Sequence, residues 1–406
     1  MNAPVGNRNL MRAMNRSVVL NMIKTRGPIP RTDVARLTGL SPATVSGVTA
    51  ELIAEGLIFE KAAGDSRGGR RPILLALNPT AGYVVGLKLA EHQVVGALTD
   101  LEATIVTTYT SPLVDAALET VLDALAHVVT TLTTQEQVPK DKLLGVGVGL
   151  AGIVEGTRGV LRYSPIFGWR DVPFADLLGS RLGVPVRIDN DVNTFTITEQ
   201  LFGAGQGLRD FLVVTVGRGV GLGLVVNGQL YRGSKGGAGE FGHTVIDPEG
   251  RTCSCGNRGC LETYVSDPGL LSLAAEAVSR GELDASANDM DSLLALANGR
   301  DPAAQAIFAQ AGERLGRALA NLINVFSPEL IIVSGEGVRA GRWLFDPMRE
   351  ALSRHTMSSL AEDTRIQIET WEDGAWARGA AGLVLDELFR SPIHRGELTS
   401  TAIGVR

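Results

Sequence analysis

All three cysteines of the chain, Cys253, Cys255 and Cys260, fall within eight positions, and His243 stands ten residues upstream. The stretch reads GHTVIDPEGRTCSCGNRGCLE. Thiols this close are not scattered core residues, and one imidazole completes a Cys3His set. Such donors suit tetrahedral Zn²⁺ with no position left open for a substrate, so the expected metal is structural rather than catalytic. The competing reading is a redox disulfide or inert thiols, yet three cysteines with none elsewhere do not make a disulfide framework. Two carboxylates, Glu240 and Glu262, lie beside the set.

Charge divides the chain. Residues 1–78 carry eleven Arg or Lys against five acids, a net +6, so the remainder holds −12 of the overall −6. A basic head on an acidic body is the distribution expected when only the head meets a polyanion. At 42.9 kDa the chain exceeds one ordinary core, which predicts two or three domains. Its 44% apolar and 20% charged residues are an ordinary water-soluble composition. The apolar stretches are short and broken by glycine, so no membrane span fits. The first twenty residues lack a long apolar core and a cleavage site, so no secretory signal is read there. Free thiols without an export signal predict a cytoplasmic protein.

The head reads as a winged helix-turn-helix. Leu10, Met14, Val18 and Ile23 recur at helical spacing over 9–26, and GPIP at 27–30 stops that helix. A second helix over 31–38 is expected to bury Val34 and Leu37. Gly39-Leu40 makes the turn, and Ser41-Pro42 supplies an N-cap and a first-turn proline for a third helix. Val45, Val48, Leu52 and Ile53 form its apolar stripe. Ala43, Thr44, Ser46, Gly47 and Thr49 lie off that stripe, small and polar enough to enter a major groove. Two strands, 57–59 and 73–77, flank KAAGDSRGGRRP, whose Arg67, Arg70 and Arg71 could contact phosphates or a narrow minor groove. The alternative is a small helical protein-interaction module with a solvated basic loop.

Beyond Pro79 strands alternate with helices. Strands are expected at 83–89, 94–99, 105–110, 144–150, 211–216, 221–226 and 330–334, with helices at 116–133 and 303–326. This is an α/β arrangement with two sheets. The segment 279–302 reads as a loop with a short helix, and the tail 391–406 as disordered.

The chain resembles the ROK family (repressor, open reading frame, kinase), and within it the sugar-responsive regulators that join a winged helix to a ROK body. The resemblance rests on GGAGEFGH (236–243), CSCGNRGCLE (253–262), IDNDVN (188–193) and GRRP (69–72), and spans roughly residues 10 to 388. It implies a two-lobed actin-like (ribonuclease H-like) sugar-kinase fold, with 1–78 as DNA-binding domain and 79–390 as sugar-binding and oligomerisation domain. The small lobe would take 79–190 and the C-terminal helix, the large lobe 191–374. Homodimers or dimers of dimers are implied, with operator DNA and a monosaccharide effector as partners.

The resemblance also implies that Asn190, Asp191, Glu240, His243 and Glu262 contact the sugar. Carboxylates and imidazoles pair well with a ring of hydroxyls. Glu240 and His243 are three apart, so one helical turn would set both on one side; one ring nitrogen of His243 would bind the metal and leave the other to the sugar. Against these stand plainer roles: Asp191 or Glu262 as helix caps, Glu240 as a solvated loop acid. Gly168-Trp169 resembles the family's cleft-lining segment, but Ile166 and Phe167 stand where relatives often carry Asn. His92, His127, His355 and His394 read as surface or core residues, and Trp343, Trp371 and Trp376 as packing.

Family kinases cradle triphosphate with an acid-glycine-glycine-threonine turn. In VVGLKLAEHQVVG, Lys88 stands near the acid and Ala90-Glu91 replace the glycines, so a carboxylate repels the phosphates and a β-carbon blocks their approach. The second turn, VGRGVGLG, keeps its glycines but carries Arg218. Asp191, the expected vestigial base, has no phosphoryl donor site beside it, and a non-catalytic regulator is expected. The alternatives are an ATP-dependent hexose kinase that also binds DNA and a scaffold that has lost the sugar.

Overall fold

The computed structural model describes residues 8–61, 73–370 and 373–389. Three helices open it: α1 (Arg8–Arg26), then after a short β1 (Ile29–Pro30) α2 (Arg31–Thr38) and α3 (Pro42–Ala54), followed by β2 (Ile58–Lys61) and β3 (Leu74–Leu77). The strands form an antiparallel sheet in the order β1-β3-β2. Local chemistry explains the boundaries. Gly39 closes α2 at φ 72°, and the Ser41 hydroxyl accepts a hydrogen bond from the Thr44 N–H at 3.1 Å to start α3. Arg67, Arg70 and Arg71 lie outside the described residues.

Three expectations about faces need correction. Val18 is exposed, and α1 buries the expected Ile23 together with Val19 and Leu20. Leu37 is 47% exposed, leaving Val34 as the core residue of α2. Thr49 is fully buried, its hydroxyl donating to the Ser46 carbonyl and accepting from Arg31 Nε at 3.1 Å, so it cannot face a groove. Spacing along one helix suggests a face, but the face that is buried is chosen by what packs against it.

A first five-stranded sheet comprises β4 (Tyr83–Leu89), β5 (Gln93–Thr99), β6 (Ile105–Pro112), β7 (Leu143–Leu150) beyond α4 (Leu118–Gln135), and β11 (Val186–Asn190). Before β11 come a small antiparallel sheet of β8 (Ile153–Glu155), β9 (Val160–Tyr163) and β10 (Arg170–Val172), and α5 (Phe174–Leu182). The order is β11-β7-β4-β5-β6, with β7 parallel to both neighbours. Most of β7 is buried, as a central parallel strand requires.

After α6 (Asp191–Phe202) a second sheet forms from β12 (Phe211–Val216), β13 (Val220–Val226), β14 (Gln229–Leu230), β15 (Leu330–Ser334) and β16 (Arg365–Ile368), ordered β14-β13-β12-β15-β16. Between its strands lie α7 (Glu262–Val265), α8 (Asp267–Ser279), α9 (Met290–Asn298), α10 (Pro302–Phe326), α11 (Arg342–His355) and α12 (Ser358–Ala361). Asp301 caps α10 ahead of Pro302, and Ile307, Phe308, Leu315 and Leu319 bury one face of it. Over 279–302 the expected short helix is α9.

The last helix, α13 (Asp373–Phe389), returns to the first part of the chain. Gly379 lets it touch α6: a Cβ there would stand 2.2 Å from the Thr194 carbonyl oxygen. Trp376 stacks on Phe195 at 5.2 Å between centroids. At its far end Leu385 and Phe389 share one apolar cluster with Val19, Leu20 and Ile23 of α1. One helix therefore touches both the head and the helix that begins at Asp191.

Candidate functional site

Residues 244–262 fold back so that Val245 bridges to Cys260 and Thr252 to Arg258. The two bridges bring the sulfurs to His243: Nδ1 lies 3.4 Å from Cys253 Sγ, and Cys255 Sγ lies 3.7 Å from Cys260 Sγ. All four donor atoms fall within 4.8 Å of one another. Burial, then the neighbouring sulfurs, push the Cys260 thiol up to about 12; at the more exposed Cys255 burial also acts upward, but hydrogen bonds from the Asn257 backbone and the neighbouring thiols outweigh it and draw that thiol down. Metal ligation would release the thiol protons, and the four donors could hold a metal ion.

His243 closes a 3-10 turn, Phe241–His243, with Glu240 as its cap. The turn is 3-10 rather than α-helical, yet Glu240 and His243 do share a side. With Nδ1 toward the sulfurs, Nε2 faces Glu240 Oε2 at 3.8 Å. Gly239 makes this approach possible: at φ +95° a Cβ would lie 2.0 Å from the Leu222 carbonyl oxygen. Glu262 opens α7, and its Oε2 accepts the Val220 N–H at 3.0 Å.

Asn190 and Asp191 sit where β11 passes into α6. Asn190, not Asp191, is the cap: its Oδ1 accepts from the Val192 and Asn193 N–H groups at 2.9 and 3.3 Å, and its Nδ2 donates to the Gly152 carbonyl at 3.1 Å. Asp191, in the first turn of α6, also accepts the Val192 N–H on Oδ1 at 3.0 Å, which leaves carboxylate capacity to spare. Burial raises its pKa, and Lys88 opposes that rise. Burial likewise raises Glu240, opposed by His243 and reinforced by the charges of Glu262 and Asp191. Glu240 thus lies within electrostatic reach of His243, Glu262 and Asp191, and Asn190 precedes Asp191 in the chain.

One residue of the same motif was not singled out from the sequence. Asp189 is 1% exposed; Oδ1 accepts the Asn190 N–H at 2.8 Å and Asn193 Nδ2 at 2.9 Å, while Oδ2 accepts Arg232 Nε at 2.6 Å. Arg232 belongs to the loop that leads to Glu240, so this carboxylate ties the two halves of the site together. A signal existed: an acid at the end of a buried strand requires a partner.

The turn after β4 and the turn after β12 meet. Arg218, between β12 and β13, donates to Glu91, between β4 and β5. Lys88 Nζ lies 4.4 Å from the Trp376 ring centroid. In the head, Ala43, Ser46 and Gly47 are exposed and Thr44 is half-buried with its hydroxyl on Ser41.

The family model described as "ROK family" matches residues 84–387. A putative xylose repressor of Caldicellulosiruptor sp. (strain Rt8B.4) is 32% identical over 396 residues, spanning 96% of this chain and 99% of its own length. The DNA-binding transcriptional dual regulator NagC of Escherichia coli (strain K12) is 28% identical, covering 94% of this chain and 95% of its own length. Among solved structures, a ROK family transcriptional regulator, a homolog of the E. coli MLC protein, superimposes with a TM-score of 0.83 at 26% identity, over 93% of this chain and 97% of that one. A ROK family glucokinase from Streptomyces griseus, in complex with glucose and AMPPNP, gives 0.65 at 29% identity, over 74% and 99%. Among the described residues no helix is long and apolar enough to cross a membrane.

Proposed function

The chain belongs to the ROK family, and from that premise we propose that it is a sugar-responsive transcriptional repressor acting in the cytoplasm. The observation that carries the reading is the pairing of Arg218 with Glu91 in place of a phosphate cradle, beside an intact set of sugar-matching side chains. In this reading Asn190, Asp191, Glu240, His243 and Glu262 hold a monosaccharide between two lobes, and no phosphoryl transfer follows. Zn²⁺ on His243, Cys253, Cys255 and Cys260 would serve as a structural clamp that fixes the His243 ring and the Glu240–Glu262 segment.

The head acts as a winged helix-turn-helix. α3 enters the major groove with Ala43, Thr44, Ser46 and Gly47, and Arg67, Arg70 and Arg71 supply contacts to phosphates or the minor groove. A homodimer presents two such heads to a palindromic operator. Sugar shifts DNA affinity only by its unequal affinity for the two arrangements of the heads, typically about 1–3 kcal/mol. α13, which touches both α6 and α1, is the element placed to carry that shift.

The retained Asp191 and the likeness to a glucokinase favour one other reading, an ATP-dependent hexose kinase that also binds DNA. The deciding experiment follows the full-length protein by fluorescence anisotropy on operator duplex while sugars are titrated, with a coupled ATPase assay on the same samples. Sugar-dependent release of DNA without turnover is expected. Turnover above about 1 s⁻¹ with any hexose would instead establish the kinase.

A further inference from the structure

An open groove of about 800 Å³ runs beside the site, between the β9–β10 hairpin and the loop that follows β14. That volume falls in the usual range for small-molecule pockets, about 300–1,000 Å³, and leaves room for more than one sugar ring. Its walls include Ile153, Arg162, Asp171, Tyr231, Lys235 and Ala238. Each wall is joined through the chain to residues of the proposed sugar site. Ile153 follows Gly152, whose carbonyl holds the Asn190 amide, and Ala238 stands two residues before Glu240.

The walls are built rather than loose. Arg232 anchors the loop to the buried Asp189 at 2.6 Å, and Gly236 presses so closely on β8 that a Cβ would stand 1.8 Å from the Val154 carbonyl oxygen. Arg162 is held between Glu155 and Asp171, its contact to the latter 2.8 Å. Tyr231, by contrast, is 55% exposed on the groove although its backbone is fixed to Leu224 at 2.8 Å. A phenol ring offers a flat apolar face with a polar tip, the shape that the C–H face of a pyranose covers. Asp171 and Lys235 beside it supply an acceptor and a donor for ring hydroxyls.

Building on the sugar-sensing function proposed above, we infer that the effector site extends along this groove and takes a disaccharide, its second ring lying on Tyr231. Calorimetric titration of the full-length protein with matched pairs tests this: xylose and xylobiose, glucose and cellobiose, N-acetylglucosamine and chitobiose. For one pair the disaccharide is expected to bind at least tenfold more tightly than its monosaccharide. Tyr231→Ala and, independently, Lys235→Ala should shrink that advantage to less than threefold while leaving the monosaccharide affinity within twofold. Equal affinity within every pair, or a Tyr231→Ala variant that weakens both members alike, overturns the inference while leaving the sugar-sensing reading intact. Absence of binding by any of the six sugars would overturn both.

Discussion

Lys24 stands where the head meets the body. Its ammonium lies 4.1 Å from the centroid of the Phe389 ring, and burial pulls its pKa from 10.5 to about 8, with Asp386 opposing the drop. A fall of that size corresponds to about 3 kcal/mol of disfavoured charge. Lys24→Met keeps the apolar stem and removes the charge, so at pH 7 the variant is expected to be about 3 kcal/mol more stable. The sign of the pH dependence follows from proton counts. Between about pH 8 and 10.5 the unfolded chain still holds the proton that folded Lys24 has released, so wild-type stability rises relative to the variant. The gap should be full below pH 8 and closed by 10.5. Urea unfolding of both proteins at intervals from pH 7 to 10.5, compared at unchanged m-value, reads it directly. A variant that is less stable at pH 7, or a gap that stays constant to pH 10.5, would refute the reasoning.

Burial, then the charge of Glu369, raises the pKa of Glu199 from 4.5 to about 7, so the folded protein keeps a proton there that the unfolded chain gives up. Wild-type stability should therefore fall as pH rises through that window, and Glu199→Gln should be more stable above pH 7 by roughly 2–3 kcal/mol, with no gain at pH 4.5 in the same unfolding assay. Arg232→Met strips the partner from a carboxylate that is 1% exposed and should cost about 3–5 kcal/mol. Adding Asp189→Asn to it should recover part of that loss, and a double-mutant cycle with strictly additive effects would remove the pair from the site's architecture. Cys255→Ser should lose the bound metal by elemental analysis and lose the sugar response in anisotropy, while still binding operator DNA. A normal response without metal would show that the cluster does not organise the segment carrying Glu240 and Glu262.

The Cys3His cluster is legible in the sequence because its residues are close together and chemically restricted. Three thiols and an imidazole within 243–260 leave few things to be. Helix α2 and strand β15 appear within the bounds read from spacing, since Gly39, Ser41 and the Gly335 turn act locally. Faces were harder. Val18, Leu37 and Thr49 obey helical periodicity, but which side of a helix meets the core is settled by the neighbours that pack on it.

Pairings across long stretches of chain carry no local signature at all. Asp189 finds Arg232 across 43 residues, and Arg218 finds Glu91 across 127. Only the tertiary structure could bring α13 to α6 and α1 together. Residue types and spacing thus determined what chemistry the chain can hold. Packing decided which of those residues meet, because burial and long-range contact are properties of the whole fold.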